Sequence, residues 1–159
     1  MIILGIDPGL ATTGYGLINC TGDKIELIKY GCVKTLAGGE FSIRLLKICS
    51  ELNKIIKKYR PSKIAVEQIY FCKNVKTALL VGQARGAIIL TAINNNLPVS
   101  DFTPLQIKQA ITGYGRAEKN QIQQMLKIIL KLKNIPKPDD AADALAVAIC
   151  CAHTNLPKA

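Results

Sequence analysis

The chain has a single histidine, His153, and none of its six cysteines forms a C-x-x-C pair, so its 159 residues contain no zinc-site spacing. Cys20, Cys32, Cys49, Cys72, Cys150 and Cys151 are scattered and read as reduced, mostly buried thiols. Cys150, Cys151 and His153 fall close together, but on what reads as a short helical tail with no orienting acid beside it, and packing is their expected role. Long apolar runs are also lacking. Hydrophobic residues make up 49% of the chain, yet Lys and Arg interrupt them so often that no segment is expected to approach a membrane span. Met1 leads directly into a strand, with no basic region before it and no small-residue cleavage site after it. No signal peptide is therefore expected, and the protein reads as cytoplasmic. Internal repeats and low-complexity tracts are absent as well.

Acidic residues are outnumbered: 11 Asp and Glu stand against 21 Lys and Arg, a net charge of +10. In a soluble domain that surplus points to a polyanionic partner, nucleic acid first, although Lys-rich surfaces also serve solubility. The length suits a single domain over residues 1–159, with a core that removes roughly 70% of the unfolded surface from water and needs neither disulfide nor metal to fold.

The chain opens on Ile2-Ile3-Leu4-Gly5-Ile6, an apolar run suited to a strand buried on both faces, which ends on Asp7 and is broken by Pro8-Gly9. Asp7 thus stands where a central strand emerges, at the rim where open α/β sheets bind ligands, although an Asp before Pro-Gly also makes an ordinary turn. Thr12 to Asn19 and Ile25 to Val33 read as two more strands completing an antiparallel meander. An amphipathic helix follows Gly38 to Glu40, with Leu45, Cys49, Leu52, Ile56 and Tyr59 on its apolar face, and Pro61 ends it. Lys63 to Gln68 is a short strand carrying Glu67 at its end, and the preceding crossover helix makes it parallel to an earlier strand. From about Val75 to Asn94 the chain reads as a helix apolar almost all round, with Gly82, Ala84, Gly86 and Ala87 allowing close approach. Such a helix is either deep core or a subunit interface. Leu97 to Phe102 is a last strand. Thr103-Pro104 starts a helix broken at Gly113-Tyr114-Gly115, a further helix runs from Glu118 to about Leu132, and a final one begins at Asp139. The result is an α/β domain with a mixed five-stranded sheet, an antiparallel meander plus parallel strands, and helices on both faces.

Asp140 and Asp143 lie three apart at the start of that final helix, which brings their side chains onto one face at about 5–6 Å between Cβ atoms. First-turn acids also complement a helix dipole, which would explain Asp139 or Asp140 alone. If Asp7, Glu67, Asp140 and Asp143 gather at the sheet rim, four carboxylates cannot all stay ionised without cations. Ligands that are all oxygen favour Mg²⁺, with Mn²⁺ as a substitute. Two such ions about 3.5–4 Å apart would activate a water and stabilise a leaving 3′-oxygen, which is nuclease chemistry.

Ile3-Leu4-Gly5-Ile6-Asp7-Pro8-Gly9 with Thr13-Gly14-Tyr15-Gly16, Ile64-Ala65-Val66-Glu67-Gln68, Gly82-Gln83-Ala84-Arg85-Gly86, Ala117-Glu118-Lys119 and Asp140-Ala141-Ala142-Asp143-Ala144 closely resemble the RuvC family of bacterial Holliday junction resolvases. The blocks run in order through nearly the whole chain. The resemblance implies an RNase H-like fold and a homodimer that nicks two opposed strands of four-way DNA junctions, leaving 5′-phosphate and 3′-hydroxyl ends, in recombination and repair. It also implies two Mg²⁺ per subunit and the RuvA and RuvB branch-migration proteins as partners. By motif position Asp7, Glu67, Asp140 and Asp143 are the acidic tetrad, with Asp7 bridging, and Asp139 is left outside it. Lys108 and Lys119 match basic positions that meet the scissile phosphate. Tyr70 matches an aromatic that stacks on bases, a role that neighbouring Phe71 could also fill. The chain ends soon after His153 without the longer basic tail of better-known members.

Two rival readings belong to other classes. An actin-like or sugar-kinase-like phosphotransferase opens with a similar Gly-x-Asp-x-Gly turn, but needs two lobes and a second phosphate-binding Gly motif, for which there is no room here. A non-catalytic junction-binding protein would be favoured by the loss of any one acid, and all four are present.

Overall fold

The computed structural model describes residues 1–69 and 75–155. Strands β1 (Ile2–Asp7), β2 (Thr12–Thr21) and β3 (Lys24–Lys34) form the antiparallel meander, with Asp7 opposite Gly14. Helix α1 (Phe41–Tyr59) then crosses to β4 (Lys63–Glu67), which pairs parallel with β1. Helix α2 (Val75–Asn94) leads in turn to β5 (Val99–Phe102), parallel to β4. The sheet order is β3-β2-β1-β4-β5, followed in the chain by α3 (Pro104–Thr112), α4 (Lys119–Ile129) and α5 (Asp139–Asn155). This is the expected mixed sheet, with β1 at its centre.

The alternation of strand side chains sorts the core into two layers. Leu4 and Ile6 of β1, Leu17 of β2 and Ile64 and Val66 of β4 meet α1 and α2 on one face. Ile3, Ile18 and Ala65 meet α3, α4 and α5 on the other. Asp7 and Glu67 follow the parity of Ile3 and Ala65, so both acids belong to the face carrying α5.

Helix ends have readable causes. Arg60 takes a left-handed conformation (φ 47°) and its N–H bonds the Ile56 carbonyl, closing α1 one residue before Pro61. Thr103 and Gln106 form a capping box at the start of α3, with Pro104 in its first turn. Gly113 (φ 74°) ends that helix. α4 stops at Ile129, short of the expected Leu132, because Leu130 caps it and Lys131 turns left-handed (φ 51°). β5 begins at Val99 rather than Leu97, whose N–H is held by the Ala92 carbonyl at the end of α2.

Three expectations need correction. On the apolar face of α1, Leu52 and Ile56 are buried as expected, but Ile48, not among the expected residues, is buried with them and Cys49 is only half-buried. Cys150 and Cys151 lie not on a short tail but in the buried body of α5, the helix that covers the middle of the sheet. Finally, one segment does reach spanning length: α2 is 20 residues long, with Lys76 and Arg85 its only charges, long and apolar enough to cross a bilayer by length and composition. The all-round apolar pattern hid the fact that, among the described residues, one side of α2 is buried and the other is exposed. Ala84, Ile88, Thr91 and Ala92 are buried, while Leu79, Leu90 and Ile93 are exposed.

Candidate active site

The sheet face beneath α5 is floored by glycine. Gly5 faces Gly16 across the β1–β2 pair, and Gly14 lies two pairs further along, opposite Asp7. A Cβ on Gly14 would run into the Asp140 carbonyl, one on Gly5 into the Ala144 carbonyl, and one on Gly16 would lie 2.8 Å from the Leu145 backbone nitrogen. With Ala141, Ala142, Ala144 and Ala148 on the helix side, α5 therefore lies backbone-close on the strands, and its first turn is carried to the end of β1. The Pro138 carbonyl accepts from Ala141 N–H at 3.1 Å and Ala142 N–H at 3.2 Å, fixing where that turn begins.

Asp7 ends β1 and Glu67 ends the adjacent parallel β4, where Ile6 is level with Val66, so the two acids leave the sheet side by side. The Asp7 loop is pinned by Thr13, which is wholly buried and donates its hydroxyl to the Gly9 carbonyl at 2.6 Å. The end of β4 is held from two sides. Gln68 N–H bonds the Phe102 carbonyl at 2.8 Å, and Arg85 of α2 donates through Nε to the Glu67 carbonyl at 3.3 Å while its Nη2 holds Asp101 at 2.5 Å. Asp7, Glu67 and Asp143, together with Lys108 of α3 and Lys119 of α4, line a cavity of about 300 Å³ whose walls include Pro104, Ile107 and Ile122. Asp140 lies on the flank, lining the adjoining depression with Gly9, Thr12 and Arg44.

The electrostatics tie these groups together. Burial, then the charges of Glu67, Asp143 and Asp140 in that order, push the Asp7 carboxyl up to about 8, and only Lys119 pulls it down. Burial and Asp143 raise Glu67 to about 7 against the pull of Lys108 and Lys119. Asp143 is raised by burial, offset by the hydrogen bond from Lys119, whose Nζ lies 3.1 Å from its Oδ2. Asp7 thus lies within reach of the charge of all three other acids.

Donor chemistry fits a hard divalent cation: four carboxylates, no His or Cys, and repulsion that a cation relieves. As the side chains stand, no three His, Cys, Asp or Glu among the described residues are drawn together tightly enough to hold one ion. The cation on Asp143 is instead the Lys119 ammonium. Asp139, outside the expected tetrad, is bound by Lys137 at 2.9 Å, Gln123 at 3.0 Å and Lys119 at 3.3 Å. These hydrogen bonds, with Lys137 first, hold its carboxyl down at about 2.

Asp7, Glu67, Asp143, Lys108 and Lys119 are therefore brought to one cavity, Asp140 lines a separate depression although its charge reaches Asp7, and Tyr70 and Phe71 lie outside the described residues. Sequence reasoning missed Arg85, the glycine floor and the attachment of Asp139. A lone arginine in an otherwise apolar stretch, glycines spaced by two along β2, and a third acid at a helix start were the available signals.

The family model for crossover junction endodeoxyribonuclease RuvC matches residues 3–151. The crossover junction endodeoxyribonuclease RuvC of Alkaliphilus oremlandii is 55% identical over 155 residues, which cover 98% of this chain and 94% of that protein. That of Heliobacterium modesticaldum is 55% identical over 154 residues, 97% of this chain and 95% of that protein. Among solved structures, Thermus thermophilus RuvC in complex with Holliday junction substrate superposes with a TM-score of 0.91 at 35% identity, over 96% of this chain and 93% of that one.

Proposed function

The chain belongs to the RuvC family of crossover junction endodeoxyribonucleases and is a Holliday junction resolvase of RNase H-like fold, and we propose that Asp7, Glu67, Asp140 and Asp143 act as a single metal-binding catalytic tetrad. The observation that carries this reading is the position of Asp7, which is buried and raised by the charge of each of the other three acids. At neutral pH such a group gives up its proton readily once a cation joins it. On the family resemblance the four carboxylates would hold two Mg²⁺ ions per subunit, with Mn²⁺ as a substitute. When bound, the ions activate the attacking water and stabilise the leaving 3′-oxygen of the DNA strand.

The chain's own residues do the rest. Asp7 and Glu67, fixed by strand ends, give the site a rigid floor, and Asp140 and Asp143 approach from the helix laid on the glycines. Lys108 and Lys119 line the same cavity, where their ammonium groups would meet a phosphate oxygen of the scissile strand. The net charge of +10 draws the polyanion in, and the family resemblance assigns base stacking to Tyr70. The described helices pack on one sheet or, for α3 and α4, on α5 above it, which supports a single domain.

Cutting two opposed strands needs two sites, and α2 supplies a surface for pairing. Val75, Leu79, Gly86, Leu90 and Ile93 recur at helical spacing on its exposed side, and a Cβ on Gly86 would meet nothing within 4 Å. Of the close-approach residues read from the sequence, Ala84 is used in the core, whereas Gly86 has no neighbour among the described residues, which supports α2 facing a second copy. On the same resemblance, RuvA and RuvB are the partner proteins and the cytoplasm is the compartment.

The deciding experiment mixes the protein with synthetic four-way junctions and with linear duplexes, with and without Mg²⁺, and maps the nicks. Paired, symmetric, ligatable nicks on junctions alone, and only with metal, are expected. Cleavage in the presence of a chelator would remove the metal from the reading, and equal cutting of linear duplex would remove the junction.

A further inference from the structure

Lys119 opens α4 and sits between two aspartates of α5, its Nζ 3.1 Å from Asp143 Oδ2 and 3.3 Å from Asp139 Oδ2. Asp139 and Asp143 are four residues apart, so they share a face of α5 and straddle the ammonium. Asp139 is not a loose surface acid. Its Oδ1 accepts from Lys137 Nζ and from Nε2 of Gln123, a residue only 7% exposed, so the carboxylate is fastened to the body of α4. Asp143, by contrast, lines the cavity with Asp7 and Glu67.

We propose that Asp139 is a positioning residue for Lys119: it offers the ammonium a second anchor, so that Lys119 can leave Asp143 to a metal ion without leaving the site. This rests on the reading of the tetrad as metal ligands. Lys119 and a divalent cation compete for the same Asp143 oxygen, and two cations cannot share it closely. With Asp143 as its only partner, Lys119 would either block the ion or be expelled into solvent, far from the phosphate it is placed to meet. Because Asp139 is already within 3.3 Å, withdrawal from Asp143 gives up one of two ion pairs and keeps the other. The pairs are partly solvent-exposed, so their competition shifts metal affinity by a modest factor.

Mn²⁺ titrated into the metal-free full chain by isothermal calorimetry tests this without relying on turnover. Wild type, Asp139→Asn, Lys119→Met and the double variant are compared, with thermal unfolding as the check on folding. Asp139→Asn is expected to weaken Mn²⁺ binding about two- to fivefold, because Lys119 then collapses onto Asp143. Lys119→Met is expected to tighten it, and the double variant to bind at least as well as wild type. If Asp139 merely supports the start of α5, its loss weakens binding equally whether or not Lys119 is present, and the proposal is overturned. Unchanged affinity in Asp139→Asn overturns it as well. Absence of Mn²⁺ binding by wild type, alongside Asp7→Asn as a blank, sinks the tetrad reading itself and is distinguishable from both.

Discussion

At the residue scale the chemistry turns on protons held where metal is expected. An Asp titrates near 3.9 in an unfolded chain, whereas Asp7 is pushed up to about 8 in the metal-free fold. Between those values the unfolded chain has released a proton that the folded one keeps, so the stability contributed by protonated Asp7 is full at low pH and is lost as pH rises from about 4 to about 8. Glu67, raised to about 7, acts in the same direction. Thermal unfolding of the metal-free protein should therefore begin earlier at pH 8 than at pH 6. Asp7→Asn, which is neutral at both, should flatten the difference and raise the midpoint at pH 8 by about 2–4 °C, the equivalent of ~1 kcal/mol in a domain of this size. The same variant should abolish cleavage while leaving junction binding intact, measured by mobility shift; full cleavage by it in Mg²⁺ would exclude Asp7 as a ligand. Because metal must displace these protons, Mg²⁺ affinity should rise between pH 6 and pH 8 by up to about tenfold per unit for each proton released. A flat profile would show that Asp7 and Glu67 are already ionised.

At the scale of elements the site depends on how closely α5 can lie on β1 and β2. A methyl group on Gly14 would overlap the Asp140 carbonyl, and backbone cannot swing aside as a side chain can. Gly14→Ala should cost about 1–3 kcal/mol of stability and lift the first turn of α5. A displacement of order 1 Å at the reacting groups costs about 10²-fold in rate. Cleavage should therefore fall far more than junction affinity, and equal losses in both would point to global unfolding. This element also marks the limit of sequence reading. Asp7 and Glu67 were legible because each ends an apolar run, and Asp140 and Asp143 because they share a helix face. That the helix rests on glycine was not, since a glycine acquires that meaning only from the strand register that puts Gly5 beside Gly16 and the alanines opposite. The tie from Arg85 to the Glu67 carbonyl and that from Lys119 to Asp139 were hidden for the same reason: each joins residues far apart in the chain. The α2 pattern was apolar on every side, so periodicity could not tell which face the fold would leave bare.

At the scale of the whole molecule, two properties must combine before paired nicks appear. The surplus of ten positive charges makes junction binding a counterion-release process, so log affinity should fall linearly with log salt, with a slope of about −0.9 per phosphate contacted. A flat dependence would exclude phosphate-dominated binding. Charge alone brings only one site to one strand, however, and under the proposed pairing the second cut depends on the exposed face of α2. Leu79, Leu90 and Ile93 are 63%, 61% and 55% exposed on a helix whose opposite side is fully used, and Gly86 between them leaves space for a second backbone. A charge in the middle of that stripe would be desolvated without a partner on pairing, in both copies at once. Leu90→Asp should therefore sediment as a monomer where wild type is expected as a dimer, with an unchanged circular dichroism spectrum because Leu90 is mostly exposed. Its metal site remains whole, so it should still bind Mn²⁺ like wild type yet lose paired nicking. A Leu90→Asp protein that remains dimeric would place the subunit interface elsewhere, and a monomer that still cuts both strands in concert would separate symmetric cleavage from the dimer altogether.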